Sequence, residues 1–312
     1  MKYDVYYHND FDGRASAAIM LAFLRGRGDD IARFFPMTYG YEREWLKEDL
    51  AKKGNPAIVV DFTYHPGAAW WFDHHATGFK KAAWAKAFRP DRQHRLDPRY
   101  ESCAHFVYDS LRKEFAWKPP KHFAELVKRL DAIDGANFRS AKSTVEMREP
   151  FLLINAFIEA RRHTRAEDRR IIRLLAERPL ASVARAPEIA GPLRELKKKV
   201  KKSLDFQKKN LRMEGRLTFI DLTGDPLNGL LRYFPFFLHP KAVYGARLKH
   251  RGSFWYLGIG ANPWRRKENR FDLGSVMRRY GGGGHKDVAA GEFSTKQEAE
   301  SAFRKIAALL NG

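Results

Sequence analysis

Residues 3–24, YDVYYHNDFDGRASAAIMLAFL, decide the fold. Tyr3 to Tyr7 reads as a short strand and Ala15 to Leu24 as a helix. Between them runs the polar segment His8-Asn9-Asp10-Phe11-Asp12-Gly13. The alternation continues downstream. Ile31 to Pro36 is strand-like and Glu42 to Ala51 helix-like, while Ala57 to Phe62 and Ala69 to Phe72 are apolar runs of strand length. Glu101 to Phe115 and Phe123 to Ile133 are helical in pattern. Such alternation predicts an α/β protein whose N-terminal part is a mostly parallel sheet with helices flanking both faces.

Past residue 160 the pattern changes. Between Arg161 and Arg212 there are 17 Lys or Arg against 6 Asp or Glu, so 52 residues carry +11 of the chain's formal +21. Lys197, Lys198, Lys199, Lys201, Lys202, Lys208 and Lys209 are interleaved with Leu193, Leu196, Val200, Leu204 and Leu211 at helical spacing. The stretch from Arg194 to Arg212 therefore reads as an amphipathic basic helix, preceded by pieces broken at Pro179, Pro187 and Pro192. Beyond it, Arg216 to Leu222, Lys241 to Lys249, Ser253 to Gly260 and Ala289 to Phe293 read as strands; Asn228 to Leu238, Leu273 to Tyr280 and Ser294 to Leu310 read as helices. The organisation expected is a domain over residues 1–160, a basic helical connector over 161–214 and a smaller C-terminal α/β domain over 215–312.

Composition excludes several classes. With 44% hydrophobic and 13% aromatic residues in 312, a packed core is available and general disorder is not expected. Cys103 is the single cysteine, so no internal disulfide can form, which fits a reducing compartment. Its position on a helical pattern suggests simple packing, as do Trp70 and Trp71 on a strand. Met1-Lys2-Tyr3-Asp4 lacks a signal-peptide pattern, and no apolar run reaches the ~18 residues needed to span a bilayer. A cytoplasmic protein with no membrane partner is expected. The positive charge points to polyanions, nucleic acid or a phosphorylated small molecule foremost.

Chemistry gathers at strand ends. The first strand runs into His8, Asp10 and Asp12, the third ends in Asp61, and the fourth in Asp73-His74-His75. In open α/β sheets the carboxyl ends of strands form the ligand crevice, so these groups can converge. Imidazole with carboxylate suits Mn, Fe, Zn or Mg, and so many carboxylates repel one another unless cations neutralise them, which argues for more than one metal. In the C-terminal part, Gly281-Gly282-Gly283-Gly284-His285-Lys286 can bring backbone N–H groups close to an anion. Asn262 and Arg270 upstream can add phosphate or base contacts.

Together these segments resemble the DHH phosphoesterase superfamily, in the members that end in a DHH-associated type 1 domain. Asp73-His74-His75 matches the name-giving triplet, His8-x-Asp10-x-Asp12-Gly13-x-x-Ser16-Ala17 the first motif and Asp61 the second. Gly281 to His285 with Ala289-Ala290-Gly291 resembles the signature of the associated domain. The resemblance implies two divalent metal ions, manganese foremost, with His8 and Asp10 on one, Asp12 and His74 on the other, and Asp61 bridging. It implies that His75 contacts the scissile phosphate, and that Gly282, Gly283, Gly284 and His285 grip substrate as the second domain closes. The family's fourth motif needs one aspartate where this chain offers Asp131 and Asp134; Asp134, followed by Gly-Ala-Asn-Phe, is closer to the pattern, with Asp131 in reserve. The implied activity is metal-dependent hydrolysis of phosphodiester or phosphomonoester bonds in short single-stranded oligonucleotides or small nucleotides. An exopolyphosphatase-like hydrolase and a catalytically silent nucleic-acid-binding relative are the alternatives. Self-association as a homodimer is compatible with all of them.

Overall fold

The computed structural model describes residues 1–38 and 42–312. The chain forms two compact units, one of residues 1–137 with 149–191 and the other of residues 138–148 with 192–312.

In the first unit, β1 (Lys2–His8), β2 (Asp30–Met37), β3 (Ala57–Val60), β4 (Ala68–Asp73) and β5 (His94–Leu96) form one sheet in the order β2-β1-β3-β4-β5. Every neighbouring pair is parallel. Helices α1 (Phe11–Arg25), α2 (Cys103–Phe115), α3 (His122–Asp134) and α4 (Arg165–Glu177) belong to this unit. Alternation along the strands sends neighbours to opposite faces. Trp70 packs edge-on against Phe23 of α1 and Phe72 against Phe106 of α2, with ring centroids 5.8 and 6.0 Å apart. Tyr6, Val59 and Trp71 instead join an aromatic cluster with Trp45, Phe79 and Phe88.

The elements covering that second face are short, and their aromatic side chains supply much of its packing, Trp84 of the helix Ala82–Ala87 lying 6.3 Å from the Tyr64 ring. The expected helix Glu42 to Ala51 is a helical turn, Glu42–Trp45, and a separate 3₁₀ turn, Leu50–Lys53. Trp45 and Leu50 both enter the same core. Five positions apart in one continuous helix they would point roughly 140° away from each other. The strand expected to reach Phe62 stops at Val60, because Asp61 takes a left-handed backbone with φ 56°.

The basic segment forms a longer helix than its lysines suggest, α5 (Pro187–Asn210). Pro187 takes the first position, where its missing N–H costs nothing, and Pro192 is accommodated inside. Arg212 lies beyond the helix, in the next strand. All seven lysines of this stretch are exposed, while Leu193, Leu196, Ser203 and Gln207 are buried.

The second unit carries a mixed sheet of β6 (Arg212–Glu214), β7 (Leu217–Asp221), β8 (Tyr244–Arg251), β9 (Phe254–Ala261), β10 (Gly283–Gly284) and β11 (Val288–Phe293), in the order β10-β11-β9-β8-β7-β6. Only β7 and β8 pair in parallel; the other neighbours are antiparallel. One face packs on α6 (Leu273–Arg278) and α7 (Lys296–Asn311) through Ala246, Leu248, Leu257, Ile259, Met277, Phe303 and Ile306. The helix expected from Asn228 to Leu238 is confined to Phe234–Leu238, since Asn228 and Gly229 take left-handed φ of 46° and 75°.

One buried ion pair ties α1 to α4. Arg14 and Asp168 are both fully buried; Arg14 Nε and Nη2 donate to Asp168 Oδ1 at 2.9 and 2.7 Å, and Tyr7 Oη donates to Asp168 Oδ2 at 3.1 Å. Removing one partner would strand a buried charge. Asp168→Ala is expected to cost about 3–5 kcal/mol of unfolding free energy, read from denaturant midpoints, with Asp168→Asn costing less.

Candidate metal and phosphate site

At the carboxyl end of β1 the chain turns sharply into α1. Asp10 caps that helix, its Oδ1 accepting from Gly13 N at 2.9 Å. A Cβ on Gly13 would lie 2.1 Å from the His8 carbonyl oxygen, so only glycine permits this approach of turn and strand. Arg14 secures the turn from behind, donating to Asn9 Oδ1 at 2.6 Å and to the Asp10 carbonyl at 2.9 Å.

Asp12 is held by a helix end. Its Oδ2 accepts from Cys103 N at 2.7 Å and its Oδ1 from Ala104 N at 2.8 Å, the first amides of α2. Those donors have no partner inside the helix, and the positive end of α2 favours an anion there. His8 Nδ1 pairs with Asp10 Oδ2 at 2.7 Å and lies 3.6 Å from Asp61 Oδ2. His74 Nδ1 lies 3.0 Å from the Tyr100 carbonyl oxygen, which turns Nε2 toward Asp61 Oδ1 at 3.6 Å and Asp12 Oδ2 at 3.8 Å. Asp73 Oδ1 receives the backbone amides of His74 and His75 and pairs with His75 Nδ1 at 2.8 Å.

Asp61 sits at the middle of these groups. It is 1% exposed, and among the described residues neither carboxylate oxygen has a hydrogen-bond partner. Such a carboxylate is costly unless a cation or proton meets it. Three sets of side chains each bring ligand atoms within 4.8 Å of one another: His8, Asp10 and Asp61; Asp61, His74 and His75; and Asp12, His74 and Asp134. Asp61 belongs to two sets and His74 to two, so the donor set fits hard or borderline divalent cations.

Proton affinities record the same crowding. Burial, with Asp12 and Asp10 nearby, raises Asp61 to about 7. Burial also raises Asp12, against His74, and loss of solvation together with Asp12, Asp10 and Asp61 drives Asp134 well above the usual carboxylate range. His8 goes the other way: burial alone would lower it, but Asp10 and Asp61 outweigh this and lift it to about 11. Asp10 is correspondingly lowered, its burial more than offset by His8 and the Gly13 amide. For His75, burial is outweighed by Asp73, and the imidazole rises to about 9.

The structure thus gathers His8, Asp10, Asp12, Asp61, His74, His75 and Asp134 in the first unit. It separates Asp131, whose carboxylate accepts from Ser102 Oγ and pairs with His105 Nδ1, both at 2.7 Å. Sequence reading gave Asp73, the Cys103 and Ala104 amides and Arg14 no role. The triplet marked Asp73 without giving it a task; nothing near the two amides in sequence points to Asp12, and nothing near Arg14 points to Asp168.

The glycine loop and its neighbours lie in the second unit. Gly283 and Gly284 pair with Ala290 and Ala289, and a Cβ on Gly282 or Gly284 would meet a β11 carbonyl oxygen at 2.3 or 2.4 Å, so the run is a close-packed strand turn and not a loose linker. His285 is exposed, with its backbone N donating to the Val288 carbonyl at 2.7 Å. Arg270 is exposed, and Asn269 links its segment to the loop by donating to Asp287 Oδ1 at 2.7 Å. Asn262 is buried, accepting from Trp264 N and donating to the Ala242 carbonyl, so its amide serves the turn.

No family model and no curated protein sequence matches this chain. Solved structures do. A pGpG-specific phosphodiesterase from Vibrio cholerae superposes with a TM-score of 0.74 at 17% identity, covering 99% of each chain. The DHH domain of a protein assigned to a ribosomal-protein family gives 0.64 at 17% identity over 100% of this chain and 87% of its own. The chain has the DHH fold. RecJ from Thermus thermophilus, solved in complex with Mn²⁺, gives 0.55 at 15% identity over 99% of this chain and 52% of RecJ. The DHH fold accounts for the parallel sheet with its polar strand ends, joined in one chain to a second, mixed sheet.

The glycine at the β1–α1 turn is open to test. Gly13→Ala is expected to lower stability by about 3 kcal/mol in denaturant unfolding and to abolish divalent-cation binding in calorimetry, since the added methyl displaces the turn carrying Asp10 and Asp12.

Proposed function

We propose that this chain is a metal-dependent phosphoesterase that hydrolyses phosphodiester or phosphomonoester bonds of short oligonucleotides or small nucleotides. The observation that carries this reading is the buried Asp61 carboxylate, without a hydrogen-bond donor among the described residues and shared between two sets of ligand-bearing side chains. His8, Asp10 and Asp61 would hold one divalent cation, and Asp12, His74 and Asp134 a second, with Asp61 common to both. Bound cations, most naturally manganese, supply Lewis acidity toward phosphoryl oxygens and lower the pKa of water between them.

The protein's own groups do the rest. The α2 amides aim Asp12, and the Tyr100 carbonyl fixes the tautomer of His74 so that Nε2 offers its lone pair. Asp73 orients His75 and holds it cationic at neutral pH, suited to donating a hydrogen bond to the phosphate as negative charge develops. Gly282, Gly283, Gly284 and His285 would bind the substrate, with Arg270 adding charge. The exposed lysines of α5 raise the local concentration of a polyanion. That preference for polyanions favours an oligonucleotide over a lone phosphomonoester, in the cytoplasm. A purely nucleic-acid-binding role would not require so complete a set of ligand side chains at one point.

The test is hydrolysis of short RNA, short DNA, cyclic dinucleotides, adenosine bisphosphate and polyphosphate with Mn²⁺ or Mg²⁺. Turnover of a nucleotide substrate, lost by at least about a thousandfold in Asp61→Asn, is expected. Salt-sensitive binding without turnover of any substrate would overturn the reading. The proton held by Asp61 adds a second measurement. Because its carboxyl is raised to about 7 and must be ionised to hold a cation, as His8 must lose the proton it keeps to about 11, metal affinity should strengthen with pH below 7 by at least about tenfold per unit, with protons released on binding. A flat profile between pH 6 and 7 would remove Asp61 from the ligand set.

A further inference from the structure

In the second unit the charge problem has the opposite sign. Along β8, Ala246 and Leu248 enter the core, which leaves Arg247, Lys249 and Arg251 on the other face. Across the ladder on β9 they face Gly258, Tyr256 and Phe254. The Arg251 guanidinium lies 4.5 Å from the Tyr256 ring centroid. A Cβ on Gly258 would stand 3.1 Å from Tyr256 Cε1 and 3.5 Å from Arg247 Nε, so the ring and the second guanidinium flank a bare stretch of strand.

Lys249 is the unusual member. It is only 8% exposed. It lies against Gly229, where a Cβ would meet its Cε and Nζ at 3.0 and 3.1 Å. The nearby Asp225 carboxylate is committed to the Gly229 amide at 2.6 Å and the Leu227 amide at 3.4 Å. A buried ammonium among guanidiniums is costly in the absence of an anion.

We propose that Arg247, Lys249 and Arg251, with the Tyr256 ring at their edge, form a phosphate-binding subsite on the face of β8 turned away from the core. Its ligand is a phosphate group of the nucleotide substrate, and that choice rests on the phosphoesterase reading; the anion site itself does not. Three side chains at alternate positions of one rigid strand present donors in a row, and an aromatic ring beside them suits a base attached to the bound phosphate. The state of Lys249 agrees: burial, Arg247, Arg251 and Arg232 lower its amine to about 7, against a weaker pull upward from Asp225.

The experiment uses the full chain in EDTA, where no hydrolysis occurs, with inorganic phosphate and a 5′-phosphorylated dinucleotide as probes. The Lys249 ¹³Cε resonance should titrate near pH 7 in the unliganded protein and shift upward by about one pH unit or more with either probe. Lys249→Met should weaken dinucleotide binding about tenfold or more, and Lys249→Arg should retain most of it. Lys249→Met should also be at least as stable as the parent at pH 7. The lysine gives up its proton near 7 when folded but near 10.5 when unfolded, so its unfavourable contribution is complete below pH 7 and fades as pH rises through that window. An unmoved Lys249 resonance with both probes would overturn the subsite, and so would unchanged dinucleotide binding in a folded Lys249→Met protein. If that variant fails to fold, the resonance of the parent protein decides. A phosphate-induced shift in a protein that hydrolyses nothing would sink the phosphoesterase reading and leave the subsite standing, whereas hydrolysis without a shift would do the reverse.

Discussion

Carboxylates cannot crowd together as anions without something positive between them. The first unit is built around that constraint. A parallel sheet delivers Asp10, Asp12, Asp61 and Asp73 to its carboxyl edge, and each is then treated differently. Asp10 is held by His8 and an N-terminal amide, Asp12 by the start of a helix, and Asp73 by two backbone amides and His75. Asp61 alone has no hydrogen bond to either oxygen among the described residues, on a backbone in the left-handed region. Strain and an orphaned carboxylate in one residue are a cost that a purely structural aspartate would not carry. The remaining arrangement makes sense as support for what Asp61 would hold.

The second unit shows the complementary case, in which cations are concentrated and one is buried. Both situations are unfavourable for the isolated chain, and each would be relieved by a ligand of opposite sign: divalent cations for the acids, phosphate for the buried lysine. Functional sites are where proteins tolerate such local disagreement with their own stability. The exposed lysines of α5 differ in kind. Fully solvated, they cost little and act at a distance.

Much of this was legible in the sequence because it depends on short-range pattern. The β1–α1 turn, the three strands leading to polar residues and the glycine-rich strand turn all follow from local alternation and from residue types that only certain backbones admit. The choice between Asp131 and Asp134 was legible only as a preference for Asp134, from the Gly-Ala-Asn-Phe that follows it. Both lie on α3, three residues apart, and what separates them is that Ser102 and His105 claim one of them across the fold. Arg14 with Asp168 was invisible for the same reason, since the partners are 154 positions apart. The broken helix after residue 42 and the truncated one after Asn228 failed differently. There, the demand that Trp45 and Leu50 share a core, and two consecutive left-handed residues, overrode an acceptable helical periodicity. Lys249 looked like an ordinary strand lysine until its burial was known.

Cys103 is the first residue of α2, fully buried, and its amide is one of the two that grip Asp12. Its thiol donates to the Phe72 carbonyl of β4, and burial beside Asp61 and Asp12 keeps it protonated. An unreactive thiol at that junction cannot meet an alkylating reagent until strand and helix part company. The chain's single sulfhydryl is therefore a built-in gauge of breathing at the acidic cluster, and the speed with which it is capped reports how firmly that cluster is closed.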